Sequence, residues 1–429
     1  MSQNNVNIVK DISTKEFIKT SFGNILEWYD FAIYGLFALP MSKAFFPNQG
    51  KFIAIISVFA TFAVGFLARP LGSIIFGSIG DKFGKQYAVN LSVWFMAIPT
   101  VCIGLLPDYQ HLNILTPLIF VILRICQGLS VGGQFSGLIA IAVESSPNNK
   151  VFLSSLVNTI AVLGAFLATF VSWMSVVLIN HISNPNSSEL LLSFSWRIPF
   201  LLSGVLFIIY HLMVPHFEKT PTADIAEASM KKIFIQQPKE LCIMAYLSAT
   251  STTLYYIVAS YLVTYLQIYV NISSKTSLIV ENFSLIVSII CFPIFGKIAD
   301  KCNDRVSQSK YFLILLLISV FLIFFIHKYF ILGIIGIMFL VIGYSGIISF
   351  TVSMFAEIFH KKYRMTACSL SFNLGITIAG FAPMISEIAS KFFRHGFFYF
   401  ILLVIILLAH CLFLLKNNKS YKQLILNNN

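Results

Sequence analysis

The sequence predicts an all-α integral membrane protein with twelve transmembrane helices in two six-helix lobes. Three observations lead to this fold class: the composition, apolar runs at regular intervals, and an uneven distribution of basic residues. Of the 429 residues, 57% are hydrophobic and only 11% are charged, and the mean hydropathy is +0.84. A soluble domain carries about 25% charged residues, so much of this protein's surface must face lipid.

Twelve apolar runs have the length of a transmembrane helix, which needs about 20 mostly apolar residues. The polar pair His327-Lys328 divides the stretch 311–353 into two helices. Residues 1–20 lack the pattern of a signal peptide, so the first run is expected to remain in the mature protein. The predicted spans are 22–42, 52–77, 87–106, 114–143, 151–179, 197–215, 240–270, 278–298, 311–326, 330–353, 366–389 and 396–415.

Basic residues predict the orientation of these spans. With the N-terminus inside, 20 of the 29 Lys and Arg residues fall in inside segments and 7 in outside segments. This bias predicts a multi-pass protein of the cell (inner) membrane with both termini cytoplasmic. It also explains the net charge of +12 without nucleic acid as a partner. The long polar inside segment 216–238 would link an N-terminal lobe, 1–215, to a C-terminal lobe, 239–429.

The two halves resemble each other in sequence. The stretch Phe76–Lys82 reads FGSIGDK, and Phe295–Lys301 reads FGKIADK after the equivalent helix of the second half. Glu144 and Glu357 likewise each precede a loop and a helix that contains a Ser-Leu pair and an Asn. Two structural repeats with a substrate site between them are a known transporter architecture.

The first of these matches forms a predicted cytoplasmic loop. Gly77 and Gly84 would let helix ends approach closely, and Asp81 could accept hydrogen bonds from a helix N-terminus. Lys85 would anchor at lipid headgroups, and Asp300 is the counterpart of Asp81 in the second half. We interpret the loop as a gating latch between the lobes; the alternative is an ordinary polar turn.

Two acids lie within the first predicted span. Glu27 and Asp30 are three residues apart and so share a helix face. Charges in the hydrocarbon region are costly and mark functional positions, so both are candidate proton-coupling groups. Alternatively, both are structural and lie near the cytoplasmic interface of the membrane.

Two further acids, Glu281 and Glu387, are expected near the outer ends of their helices, in contact with solvent.

Two arginines also fall within predicted spans. Arg124 could bind a substrate carboxylate or pair permanently with Glu27 or Asp30. Arg69 precedes Pro70 and could instead satisfy the backbone carbonyls that the proline leaves free. Both are candidate substrate-binding residues.

Tyrosines cluster in the seventh predicted span. Tyr255 and Tyr256 could hold a quaternary ammonium group by cation–π attraction, although packing is the alternative in a chain with 15% aromatic residues. No phosphate-binding glycine loop, zinc-type histidine spacing or nucleophile elbow is present. The sequence therefore predicts no enzyme activity, no cofactor and no metal site.

Several stretches together resemble the metabolite:proton symporter family of the major facilitator superfamily, and within it the proline/betaine transporters. The resemblance covers most of the chain and implies a midplane site that works by alternating access. It places Asp81 and Lys85 in the loop motif of the superfamily and marks Arg197 as a position of interest. The matching stretches are FGNILEWYDFAIYG (22–35), FLARPLGSIIFGSIGDKFGKQ (66–86), CIGLLPDY (102–109), RICQGLSVGG (124–133), SWRIPF (195–200), EKTP (218–221) and FNLGITIAGFAP (372–383).

Three departures from the family pattern matter. Gln134 stands where the family usually has glutamate, which removes one candidate proton carrier, although Gln134 remains a candidate substrate-binding residue. The second loop, 300–305, lacks the usual glycine. The tail after residue 415 is short, so regulation through a long coiled coil is not expected.

The function that the resemblance implies is proton-coupled uptake of a small zwitterionic osmolyte or amino acid. Two alternatives stay open: proton symport of a dicarboxylate or shikimate-like acid, and a non-transporting membrane sensor with the same fold. The expected partners are a small-molecule substrate, protons and the lipid bilayer. A monomer would suffice, and the oligomeric state is open.

Overall fold

The computed structural model describes residues 14, 17–18, 21, 23–83, 85–130, 134–146, 148–182, 195–213, 236–360 and 364–428, and within them all regular structure is helical. A helix satisfies every backbone hydrogen bond within its own segment, which hydrocarbon surroundings require. The spans are α1 (Gly23–Leu36 and Ala38–Phe45), α2 (Lys51–Phe83), α3 (Lys85–Leu105), α4 (Leu115–Ser130 and Gln134–Ser145), α5 (Lys150–Ile182), α6 (Arg197–Met213), α7 (Pro238–Tyr256, Ile257–Tyr261 and Leu262–Ile268), α8 (Ser274–Ala299), α9 (Lys310–Phe324), α10 (Phe330–Thr351), α11 (Arg364–Ala379 and Ala382–Phe392) and α12 (Gly396–Asn417).

The twelve predicted spans are confirmed within the described residues. Eight helical segments there are long and apolar enough to cross a membrane, and three shorter apolar helices lie in α3, α4 and α6. The first span is present as the two consecutive helices of α1. The turn 325–328, which contains His327-Lys328, separates α9 from α10 as predicted.

Two helix ends differ from the prediction. Helix α2 continues to Phe83, so the predicted loop from residue 77 has helical backbone over 77–83. A further helix, α13 (Lys419–Asn428), follows α12. The Tyr421 hydroxyl holds it in place by donating to Asp304 Oδ1 at 2.9 Å and accepting from the Val306 amide at 3.0 Å. Most of the predicted linker, residues 214–235, lies outside the described residues.

Helix α7 is irregular at its centre. The segment Ile257–Tyr261 is a π-helical turn between two α-helical parts. Such turns widen the helix locally and occur frequently at functional sites. This one faces α1, where the Cα of Ser260 would lie 2.7 Å from a Cβ added to Gly35. The irregular part of α7 therefore lies at the contact between the two halves of the chain.

Small residues bring other helices close together. A Cβ added to Gly128 of α4 would lie 1.9 Å from the Gly65 carbonyl oxygen of α2, so only glycine fits there. Between the halves, α5 packs along α8, where Gly296 lies against Ser155 and Thr169 donates to Asn282 Oδ1 at 2.9 Å. Close backbone approach at small residues is the usual way in which membrane helices associate.

The connections of the bundle define its two ends. The segments 148–149, 300–304 and 358–360 lie at one end, which we call the inner end because the basic residues predict it to be cytoplasmic. The opposite end, which holds the connections 46–50, 269–273 and 393–395, is the outer end.

Candidate functional site

A cavity lies between the halves, near the middle of the bundle. Its volume is about 40 Å³, enough for a few water molecules. Both halves contribute aromatic rings to its wall: Trp28, Phe135, Tyr255, Phe292, Phe355 and Phe372. The polar side chains of the wall are Asn158, Ser251, Thr252 and Thr351.

Ring contacts join the two halves on both sides of this cavity. Towards the inner end, Phe135 of α4 stacks on Phe372 of α11 with ring centroids 4.5 Å apart. Towards the outer end, Phe59 of α2 lies 5.9 Å from Tyr261 of α7. Each contact joins the two halves. The two halves are therefore in contact on both sides of the cavity.

The two candidate tyrosines of α7 differ in position. Tyr255 lines the cavity, and its ring meets Trp28 edge-on at 5.4 Å. Tyr256 does not line the cavity and packs against Phe62 and Phe66 of α2. The Tyr256 hydroxyl is buried and has no hydrogen-bond partner among the described residues. Of the pair, only Tyr255 can contact a molecule in the cavity in this state.

Asp30 belongs to a buried chain of polar groups. Its Oδ2 accepts from the Thr100 hydroxyl at 2.8 Å, and Thr100 accepts from Gln127 Nε2 at 2.6 Å. Gln127 Oε1 in turn accepts from Arg124 Nη1 at 3.0 Å. All four side chains are buried. The chain joins the candidate acid of α1 to the candidate arginine of α4 through two residues that the sequence reasoning did not select.

Both intramembrane arginines stack on aromatic rings beside the cavity. The Arg124 guanidinium lies 4.4 Å from the Tyr34 ring centroid, and Arg69 lies 4.3 Å from Phe31. Neither arginine lines the cavity. Arg124 Nε and Nη2 are buried without a hydrogen-bond partner among the described residues, which leaves donors for an anionic group.

The two acids of α1 have separate electrostatic partners. The charge of Glu27 interacts with that of Arg69, and the charge of Asp30 interacts with that of Arg124. Both acids are buried within the protein. The pairing that the sequence left open thus involves two different arginines.

At the inner end, Asp300 joins the two halves. Its carboxylate accepts from the backbone amides of Val151 and Phe152, both at 2.9 Å, at the first turn of α5. A carboxylate at a helix N-terminus also interacts favourably with the helix dipole. Burial raises the pKa of Asp300, while the two amide donors act in the opposite direction.

The repeated glutamates of the two halves both form ion pairs across the interface. Glu357 ends the short helix Met354–Glu357 that follows α10. It contacts Lys150 of α5 at 2.7 Å, and both its oxygens accept from Arg305 at 2.9 Å. Glu144 at the end of α4 contacts Arg364 of α11 at 3.4 Å. The sequence match therefore reflects an equivalent position in each half, although only Glu357 is buried.

The prediction that Glu281 and Glu387 contact solvent is wrong. Both are almost completely buried, at 0% and 2% exposure. The signal was present in the sequence, since each acid lies inside an apolar run. Their helices extend farther towards the outer end than the predicted spans and pack against α7, which covers both side chains.

The hydrogen bonds of Arg197 stabilise the packing of two helices. Its guanidinium donates to the carbonyl oxygens of Gly104 and Leu106 and to the Asp108 carboxylate. These contacts join the outer ends of α3 and α6.

The candidates Asp81, Lys85 and Gln134 lie on helical backbone whose side chains the structure does not describe. The same holds for Gly77, and Gly84 lies outside the described residues altogether.

Comparison with known proteins agrees with this architecture. The family model of the Major Facilitator Superfamily matches residues 20–343, and the chain belongs to that family. It is therefore a multi-pass membrane transporter by family and not an enzyme. The predicted resemblance to proline/betaine transporters is also confirmed, as the following relatives show.

Similar proteins include transporters of different substrates. The proline/betaine transporter of Salmonella typhimurium is 29% identical over 403 residues, which cover 89% of this chain and 79% of the relative. The shikimate transporter of Escherichia coli K12 is 30% identical over 397 residues, 86% of each chain. A crystal structure of a D-xylose-proton symporter aligns with a TM-score of 0.70 at 17% identity, covering 95% of this chain and 98% of that one.

Proposed function

We propose that this protein takes up a small zwitterion, such as a betaine or an amino acid, together with protons. The observation that carries the proposal is the cavity between the halves, which is lined by six aromatic and four polar side chains and has no charged side chain among the residues that line it. The resemblance to proline/betaine transporters supports the same substrate class.

The wall of the cavity suits the two ends of a zwitterion. Trp28 and Tyr255 meet edge-on and present ring surfaces that attract a quaternary or secondary ammonium group. Asn158 lines the cavity and its Nδ2 has no partner among the described residues, so it can donate to a carboxylate. A dicarboxylate would bring two negative charges to a wall without a lining cation. A shikimate-like acid, with one carboxylate and several hydroxyls, is the second candidate because one relative is a shikimate transporter.

Uptake into membrane vesicles tests the substrate. We expect labelled betaine or proline to accumulate, an uncoupler to abolish the accumulation, and shikimate and 2-oxoglutarate to compete poorly. Trp28→Leu should weaken apparent substrate affinity roughly 2- to 30-fold, because a cation–π contact contributes about 0.5–2 kcal/mol. Trp94→Leu is the matched control, because Trp94 is 40% exposed on α3 and distant from the cavity lining. Preferred competition by shikimate would reject the zwitterion, and no uptake of any compound would favour the sensor.

Alternating access would open the inner end by separating the contacts between halves. Asp300, Glu357 and Glu144 each contact the other half only when the inner ends of the helices are together. We infer that they form the latch of the inner-closed state. Asp81, the repeat counterpart of Asp300, remains a proposed member of the same latch.

The proposed orientation has its own test. If the basic residues set the topology, the segment 216–238 and both termini face the cytoplasm. A cysteine at Thr222 should then resist a membrane-impermeant thiol reagent applied to intact cells and react after permeabilisation. A cysteine at Gly50, in the connection between α1 and α2, should react without permeabilisation. The reverse pattern would overturn the orientation.

A further inference from the structure

A stripe of buried polar side chains follows one face of α8. Ser277, Glu281, Ser284 and Ser288 are spaced at helical intervals, so they share one face, and each is fully buried. The stripe starts near Ser273, which is exposed at the outer end and caps α8. The three serine hydroxyls donate to backbone carbonyls one turn earlier, so the glutamate is the costly member of the stripe.

Glu281 stands out within this stripe because neither of its carboxyl oxygens has a hydrogen-bond partner among the described residues. Glu387, another buried acid of the second half, differs. Its oxygens accept from the hydroxyls of Tyr261 at 2.9 Å and Tyr269 at 3.1 Å. A buried acid of the second half can therefore have hydrogen-bond partners, as Glu387 does. The lack of a partner among the described residues is a property of Glu281.

The helices around Glu281 provide no cation. Residues 151–178 of α5 contain no ionisable side chain. Tyr344 of α10 and Tyr255 of α7 are the titratable groups whose charges interact with Glu281. Two more tyrosines of α7, Tyr261 and Tyr265, bond to Glu387 and His327 respectively. An ionised carboxylate here would be uncompensated, and a buried group in that situation takes up a proton instead.

We propose that Glu281 is a proton-binding residue of the second half, and that it adds a proton to the transport cycle. The stripe links it to the cavity, because Ser288 and Tyr344 share a hydrogen bond of 2.7 Å and the Tyr344 ring lies 6.3 Å from that of Tyr255. Glu281 does not line the cavity, and a proton, unlike a metal cation, needs no cavity volume. This inference rests on the proposed proton-coupled function.

Transport in proteoliposomes tests the role of Glu281. Each coupled proton contributes about a tenfold accumulation per unit of pH gradient, because one pH unit corresponds to about 1.4 kcal/mol. Glu281→Gln should therefore lower steady-state accumulation about tenfold at a gradient of one unit, while exchange of labelled for unlabelled substrate continues. Glu387→Gln is the matched control and should keep the wild-type proton-to-substrate ratio, since it removes a buried acid whose oxygens are already bonded.

The outcomes separate this inference from the proposed function. If wild type moves substrate without protons, both fail. If wild type couples to protons and Glu281→Gln has the same ratio, only the role of Glu281 is overturned. If accumulation by wild type depends on Na⁺ and Glu281→Gln loses this dependence, the group binds a metal cation and the proton assignment is overturned.

A second readout does not depend on the activity of the glutamine variant. Infrared spectra of purified wild type should show the stretching band of a protonated carboxyl group that changes when substrate binds. Glu281→Asp should shift this band, and Glu387→Gln should leave it in place. A band unchanged in Glu281→Asp would assign the proton to another residue and overturn the proposal.

Discussion

Replacing Glu357 by Gln is expected to release the inner end of the protein. The Glu357 carboxylate is the shared partner of Arg305 and Lys150, and the side chains of Glu357 and Arg305 are 3% and 4% exposed. Arg305 lies in the same half as Glu357, so their pair remains when the inner end opens, and only the pair with Lys150 joins the two halves. An interaction of about 1–3 kcal/mol between the halves changes populations roughly 5- to 150-fold, so the inner-closed state should lose population by a factor in this range relative to states with the inner end open.

The measurement is labelling of a cysteine placed at Ser155, which lies against Gly296 when the inner end is closed. In a cysteine-free background, the thiol should react faster in Glu357→Gln than in the parent. Glu144→Gln is the matched control, because its pair with Arg364 is 3.4 Å long and Glu144 is 46% exposed. An exposed pair contributes about 0–1 kcal/mol, so its effect should be small. Equal labelling rates in both variants would contradict the latch.

Asp30→Asn is expected to separate exchange from accumulation. Asp30 connects to Arg124 through Thr100 and Gln127, so its proton is linked to the state of that guanidinium. Substrate binding that moves Arg124 away from this chain of polar groups would weaken the stabilisation of ionised Asp30 and favour proton uptake. Without a titratable group at residue 30, substrate binding can no longer drive protonation. Accumulation against a gradient should then fall by the contribution of that proton, about tenfold at a gradient of one pH unit, while exchange persists.

Counterflow and gradient-driven uptake measured on the same proteoliposomes check this expectation. Glu27→Gln tests the second acid of α1, whose partner is Arg69. Thr100→Ser is the conservative control, because it keeps the hydroxyl that donates to Asp30, and it should accumulate normally. If Asp30→Asn and Glu27→Gln both accumulate substrate like wild type, neither acid couples transport to protons.

The fold was largely predictable because the bilayer imposes its own pattern on a sequence. Lipid requires long apolar helices, and the polar pair His327-Lys328 could only fall outside the membrane core, so it separated α9 from α10. The repeat was also readable, since Glu144 and Glu357 occupy equivalent positions. The ends of helices were harder to predict. The polar residues after Gly77 predicted a loop, whereas the backbone of α2 stays helical to Phe83.

The site was predictable only in its residue types. Burial of Glu27, Asp30, Arg69 and Arg124 follows from charges within apolar runs. The sequence could not show that Thr100 and Gln127 connect Asp30 to Arg124, because these neutral side chains come from different helices and carry no hydropathy signal. It also could not separate Tyr255, which lines the cavity, from its neighbour Tyr256, which faces α2.

By itself the sequence determined the number of spans, the two related halves and the chemical character of the acids and arginines within the membrane. These properties depend on composition and spacing, which hydrocarbon surroundings restrict strongly. The tertiary structure alone decided which charges meet, that Glu357 is buried in a bidentate pair whereas Glu144 is exposed, and that Glu281 is covered without a partner. Those facts depend on how helices distant in sequence pack, since burial and pairing are properties of the neighbours of a residue and not of the residue itself.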